Sequence, residues 1–190
     1  MMPAAIGRSK MKATMLKKWI SFCALFFVFA AAVCAEEPKK IAFVDTGNTG
    51  RSVSAEALSN VLIKQRGAKI AVISRAVDMD PFDVQPEANA VKLLHDRGID
   101  IGAHLAVQVS ANDVRHADVL LTMTSKHKDR LIGLFPEAKD KTFTISEYAT
   151  GSYAEVADAW GKPMEVYVAM VRQLDTYLPL ALDKVVLKAP

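Results

Sequence analysis

The sequence predicts an α/β fold in which a parallel sheet of about four strands is covered by helices on both faces. Three observations point there. Four short apolar runs, residues 41–44, 70–73, 119–123 and 142–145, are each too short for a helix and read as strands buried on both faces. Helical stretches alternate with them, the order of a parallel sheet joined by right-handed crossovers. The composition of the 190 residues, 51% hydrophobic and 24% charged with 9 Gly and 8 Pro, excludes a disordered or low-complexity chain, and two cysteines exclude a disulfide scaffold.

Taken in order, the first strand follows Lys39-Lys40 and leads into a helix over 53–66, which stops at Gly67, a fitting residue just past a helix end. After the second strand a helix over 87–97 follows Pro86 and stops at Gly98. Residues 113–116 fit one helical turn before the third strand, and 125–134 a helix ended by Phe135-Pro136. The last helix opens with Pro163 at its first position and Glu165 at its positive end, with Val166, Met170, Leu174 and Tyr177 on one face. A ligand site in this architecture is expected beyond the carboxyl ends of the strands, at a switch point.

Residues 1–35 read as a signal peptide and 36–190 as the folded domain. Lys17-Lys18 precede a charge-free run from Trp19 to Val33, and Val33-Cys34-Ala35 suits cleavage after Ala35. About 17 apolar residues fall short of the roughly 20 needed to span a bilayer, so no membrane association is expected after cleavage and the protein is expected in the periplasm or secreted. A lipid anchor on Cys34 is the alternative, although Val33 is bulky for such a site. All five basic residues of the leader, Arg8, Lys10, Lys12, Lys17 and Lys18, disappear with it. The remainder then carries 19 Lys and Arg against 21 Asp and Glu, so the formal charge of +3 becomes one near −2 and nucleic-acid binding is not expected. No cysteine is left in the mature chain, and the oligomeric state stays open.

The most informative segment is Asp45-Thr46-Gly47-Asn48-Thr49-Gly50-Arg51-Ser52, a polar loop with two glycines between a strand and a helix. Such a loop can turn successive N–H groups inward, and with the positive end of the helix they form an anion site. Arg51 adds a bidentate clamp for phosphate or sulfate oxygens, and Ser52 a hydroxyl. An ordinary strand-to-helix turn is the plainer reading of the loop taken alone.

The stretch resembles the low-molecular-weight protein tyrosine phosphatases, whose phosphate loop reads Cys, five residues, Arg-Ser, commonly with Gly-Asn after the second position. Gly47-Asn48 and Arg51-Ser52 match in register. Gly98-Ile99-Asp100-Ile101-Gly102-Ala103-His104, Ala117-Asp118-Val119-Leu120-Leu121-Thr122-Met123-Thr124, Phe135-Pro136 and the segment Asp158-Ala159-Trp160-Gly161-Lys162-Pro163-Met164-Glu165-Val166-Tyr167 also look like the family, so the resemblance covers about residues 40–182. It implies a three-layer α/β sandwich of the phosphotyrosine protein phosphatase I type. It also implies that Thr46, Gly47, Asn48, Thr49, Gly50, Arg51 and Ser52 bind substrate phosphate, that Arg51 is the clamp and Asp158 the general acid, and that Asn48, Ser52 and His104 brace the loop.

One position departs from the pattern: the nucleophilic cysteine falls on Asp45, and the second loop cysteine of many members on Gly50. Proline beside the acid has become Ala159. A thiolate in this setting is ionised, so Asp45 preserves the charge, and carboxylates serve as nucleophiles in phosphoryl transfer. The first expectation is hydrolysis of phosphotyrosine or other aryl phosphates by Asp45, Arg51 and Asp158 without metal or cofactor. The alternative is an inactive, phosphatase-like module that binds phosphate or a phosphorylated ligand, or whose Asp45 accepts the loop amides, pairs with Arg51 and occupies the anion site itself. Asp45-Thr46-Gly47 also looks superficially like the motif of aspartic proteases, but only one copy occurs and a helix follows it. Arsenate reduction on this fold needs cysteines that the mature chain lacks.

Among the other residues, Trp160 is either an aromatic wall of the cleft or a core anchor. Phe82 is a candidate aromatic contact. His95, His116 and His127 are expected to serve packing or the surface, since no partner lies at metal-ligand spacing. Asp78, Asp80 and Asp83 are expected to be solvated.

Overall fold

The computed structural model describes residues 37–187; the leader and the Cys34 alternative lie outside them. Strands β1 (Lys39–Asp45), β2 (Ile70–Ala76), β3 (Val119–Thr122) and β4 (Thr142–Thr144) form one parallel sheet in the order β2-β1-β3-β4. Between and after them run α1 (Arg51–Arg66), α2 (Ala88–His95), α3 (Ala111–His116), α4 (Ser125–Leu134), a 3-10 turn (Pro136–Lys141), α5 (Ile145–Thr150) and α6 (Met164–Leu187). The expected sheet and its helical cover are both present.

Alternate residues of the buried strands serve two cores. Ile41 and Phe43 pack with Leu58 of α1, Leu94 of α2, Tyr148 of α5 and Met170 and Leu174 of α6. Ala42, Val44 and Leu120 face the other way, toward Val114 of α3 and Leu131 of α4. Helices therefore cover both faces, giving three layers. The chain leaves β1 toward β2 on one side and reaches β3 on the other, so the carboxyl end of β1 is the switch point of the sheet.

Several boundaries differ from the sequence reading. β1 and β2 outrun their apolar segments because backbone pairing continues in register to Asp45 and Ala76. Helix α1 begins at Arg51, directly from the loop, and ends at Gly67 with φ 60°. Helix α2 is shorter than 87–97: Glu87 is its extended N-cap and Asp96 its last half-helical residue. Residues 113–116 belong to the six-residue α3, started by a reciprocal Ser110–Asp113 capping box. Ile145 is not the end of β4 but the start of α5, because Thr144 and Glu147 form another capping box. In α6, which starts one residue after Pro163, the buried stripe runs through Tyr167, Met170, Val171, Leu174 and Leu178, so Val166 and Tyr177 flank it.

The candidate phosphate-loop site

The 45–52 loop leaves β1 at the switch point. Its polar residues are deeply buried: Asn48 and Ser52 are inaccessible, Asp45 is 2% exposed and Arg51 8% exposed. Burial at this level requires partners for every polar group. The floor is built by Asp45, whose Oδ1 accepts the Asn48 N–H at 2.6 Å and whose Oδ2 accepts the Ser52 N–H at 2.8 Å. One carboxylate thus ties the middle of the loop to the first turn of α1.

Asn48 is the second tie. It adopts φ 60°, the single non-glycine positive φ among the described residues, a conformation asparagine tolerates better than most side chains. From there Nδ2 donates to Ser52 Oγ at 2.9 Å, Oδ1 accepts the Val107 N–H at 3.0 Å, and the backbone oxygen lies 3.0 Å from His104 Nε2. Neighbouring segments add more bonds: Val77 N–H to Asp45 O, Asp78 N–H to Thr46 O and Glu87 N–H to Thr49 O, at 2.9, 3.0 and 2.9 Å. By contrast, among the described residues the N–H groups of Gly47, Thr49 and Gly50 donate to no protein acceptor.

Arg51 does not pair with Asp45. Its Nη2 lies 3.4 Å from Asp158 Oδ1, joining a 9% exposed guanidinium to a 64% exposed carboxylate. That corrects the expectation that an amide-bound Asp45 would also hold Arg51. The loop opens into a cleft of about 310 Å³ that Asp158 and Trp160 line together with Asp45, Thr46, Gly47, Thr49, Gly50 and Arg51. Trp160 is 63% exposed and donates Nε1–H to Asp83 at 3.3 Å, so it forms part of the rim and is no core anchor. Phe82 is 97% exposed and does not line this cleft. Asp78, expected to be merely solvated, receives Nε and Nη2 of Arg130 bidentately, and those bonds hold its carboxyl below the usual range.

Two residues that the sequence reading did not place in the site stand against it. His127 is buried, with Nε2 2.9 Å from Thr46 Oγ1; burial, reinforced by the Arg51 guanidinium, pushes its imidazole down to about 4. Glu87 also lines the cleft, and burial raises its carboxyl above the ordinary value while the Asp158 and Asp45 charges add to the rise. Asp45, Asp78, Asp80, Asp83, Glu87 and Asp158 make the cleft acidic around one guanidinium. Among the described residues no cluster of three or more His, Cys, Asp or Glu side chains is arranged to hold a metal ion, and no helix is long and apolar enough to cross a membrane.

The arrangement is one that can seat a tetrahedral oxyanion: uncommitted amides, a fixed guanidinium and the start of a helix, with a carboxylate at the base. Comparison with known proteins bears on that geometry. Residues 40–187 match the family described as low molecular weight phosphotyrosine protein phosphatase. A protein-arginine-phosphatase of Geobacillus stearothermophilus is 37% identical over 153 residues, covering 77% of this chain and 96% of the relative. The low molecular weight protein-tyrosine-phosphatase PtpB of Staphylococcus epidermidis is 31% identical over 131 residues, covering 67% and 86%. Among solved structures, the YwlE arginine phosphatase in a cysteine-to-serine mutant with a phosphorylated active-site serine superposes with a TM-score of 0.74 at 31% identity, covering 78% of this chain and 97% of that one. The match runs from the first strand to the last helix, and the chain belongs to the low molecular weight phosphotyrosine protein phosphatase family.

Proposed function

We propose that the chain is an exported phosphatase that seats the phosphoryl group of a modified protein side chain in the 45–52 loop and hydrolyses it through Asp45. The observation that carries this reading is the division of donors in the loop. Asp45 engages only the Asn48 and Ser52 amides, which leaves Arg51 and the N–H groups of Gly47, Thr49 and Gly50 for an oxyanion. A carboxylate oxygen has two lone pairs, so each oxygen of Asp45 keeps one for attack.

In the first step an Asp45 oxygen bonds to phosphorus, the bond from phosphorus to the leaving oxygen or nitrogen breaks, and Asp158 passes its proton to the leaving atom. In the second, Asp158 takes a proton from water, the water oxygen bonds to phosphorus, and phosphate departs with Asp45 restored. Arg51 and the N–H groups of Gly47, Thr49 and Gly50 hold the equatorial oxygens through both steps, where charge builds up. Asn48, Ser52 and His104 keep the loop in shape, and Trp160 walls the cleft. The phosphorylated active-site serine of the YwlE mutant supports an oxygen nucleophile on this fold.

The acidic cleft favours a phosphoryl group carried on a basic, hydrogen-bond-donating group over one carried on a bare aryl ring. Phosphoarginine is therefore the preferred substrate and phosphotyrosine the second; the arginine-phosphatase relatives support that order. Residues 1–35 support export to the periplasm or beyond.

A second reading, binding of phosphorylated partners without turnover, is favoured by the fact that both Asp45 oxygens already accept amides. One experiment separates the two. The full-length protein is incubated with phosphoarginine and with p-nitrophenyl phosphate between pH 4 and 8, and an acyl phosphate is trapped with hydroxylamine. Turnover with a trapped adduct at Asp45 is expected; binding of phosphate with neither product nor adduct establishes the module.

A further inference from the structure

Gly50 has no side chain, and its place is taken. A Cβ on Gly50 would overlap Glu87 Oε1 and approach Glu87 Cδ to 3.2 Å. The contact is fixed from both ends. Glu87 N–H donates to Thr49 O at 2.9 Å, which pins the N-cap of α2 to the loop, and the Tyr167 hydroxyl of α6 donates to Glu87 Oε2. That bond makes Oε2 an acceptor. Oε1, on the Gly50 side, receives no donor among the described residues.

The charges that face Glu87 come from three directions. Asp45 and Arg51 belong to the loop and the start of α1, Asp158 to the segment before α6, and Asp78, Asp80 and Asp83 to the segment after β2; Tyr167 completes the set. Among the described residues that line the cleft Arg51 is the one cation, and it faces Asp158 or the bound oxyanion; Arg130 is held by Asp78. An ionised Glu87 would therefore set an uncompensated negative oxygen beside any phosphate or sulfate in the loop, at a cost that burial increases. A neutral carboxyl instead presents an O–H.

We propose that Glu87 is an oxyanion-binding residue of this site, acting as a neutral carboxylic acid whose Oε1–H donates to a terminal oxygen of the ligand in the 45–52 loop. The site then takes up a dianion together with a proton, a property set by the pairing of Gly50 with Glu87. The inference rests on the reading of the loop as an oxyanion site. The raised Glu87 carboxyl agrees with it, since burial and the Asp158 and Asp45 charges disfavour the ionised form before a ligand adds its own charge.

Sulfate is the suitable probe because it stays dianionic from pH 4 to 8. Calorimetric titration of the full-length protein in two buffers of different ionisation enthalpy measures proton uptake. For the wild type little uptake is expected at the acid end, rising to roughly one proton per sulfate once free Glu87 ionises, with affinity falling about tenfold per pH unit from there. Glu87→Gln keeps the volume and the Tyr167 bond, and is expected to bind sulfate without proton uptake and with a flat pH dependence. Tyr167→Phe removes a bond that lowers the Glu87 carboxyl value, and is expected to move the loss of affinity to higher pH. Proton uptake and pH slope unchanged in Glu87→Gln would overturn the role of Glu87 and leave the loop an oxyanion site. Absence of sulfate binding by the wild type at every pH would remove the oxyanion reading and the role of Glu87 together.

Discussion

Arg51 and Asp158 face each other at the cleft with Nη2 3.4 Å from Oδ1, while the Asp45 carboxylate is held by the amides of Asn48 and Ser52. The pair is asymmetric. The guanidinium is fixed by burial, whereas the carboxylate is largely in solvent, where screening makes such a pair weak. An arriving oxyanion therefore displaces a weak partner from a strong donor.

Replacing Asp158 by Asn tests that exchange. Asp158→Asn is expected to tighten sulfate binding about threefold, the size of an exposed ion pair. It is also expected to slow turnover of a phosphorylated substrate about 100-fold, because the proposed proton donor is lost. Calorimetry and steady-state kinetics read the two effects separately; tighter binding with unchanged turnover would take the acid role from Asp158.

Asp45→Cys puts sulfur back at the base of the loop. The thiol would stand at a helix start beside Arg51, conditions that favour the thiolate. A gain in p-nitrophenyl phosphate hydrolysis that is abolished by iodoacetate is the expected outcome. Silence of this variant would place the fault in the segment around Ala159 instead of at position 45.

Asn48→Ala should weaken the fold more than its size suggests. It forces alanine to a positive φ at about 1 kcal/mol and removes bonds to Ser52 and Val107 worth about 1 kcal/mol each. A loss of about 3 kcal/mol in urea unfolding is expected. Asn48→Gly relieves the backbone strain alone and should recover about a third of it.

His127 sets an acid limb to stability. Its folded-state value of about 4 lies below the ordinary 6.5, so the fold holds the neutral ring. The stability this brings is present above pH 6.5 and is lost as the pH falls from there through about 4, on the order of 3 kcal/mol in all. Thermal melts from pH 7 to 4 should show a smaller decline for His127→Gln than for the wild type. Its imidazole resonances should also report a neutral ring down to about pH 4.5.

Much of this architecture could be read from local pattern. The four apolar runs mark the strands because a strand buried on both faces has no polar register to show, and Gly67 marks the end of α1 because the chain turns there through φ 60°. What pattern missed is polar or distant. Helix α5 hides in a segment without an apolar stripe, although Thr144 and Glu147 spell its capping box. Loop residues 45–52 lie together in sequence and were visible as a group. Glu87 reaches the cleft from the N-cap of α2 and His127 reaches Thr46 of the loop from α4, 42 and 82 residues beyond Asp45, and no spacing rule links them to it. Gly50 offered the one local sign, a missing side chain where another element had to fill the space.

The carboxylate of Asp45 acts as a keystone that belongs to the chain itself. A loop of inward-turned amides normally repels itself, donor against donor, and relaxes when its guest departs. Here the curvature of the unliganded loop has an internal counter-charge bonded at two points. Little rearrangement is left for a ligand to drive, and in the proposed reaction departure of phosphate need not wait on the loop reshaping itself.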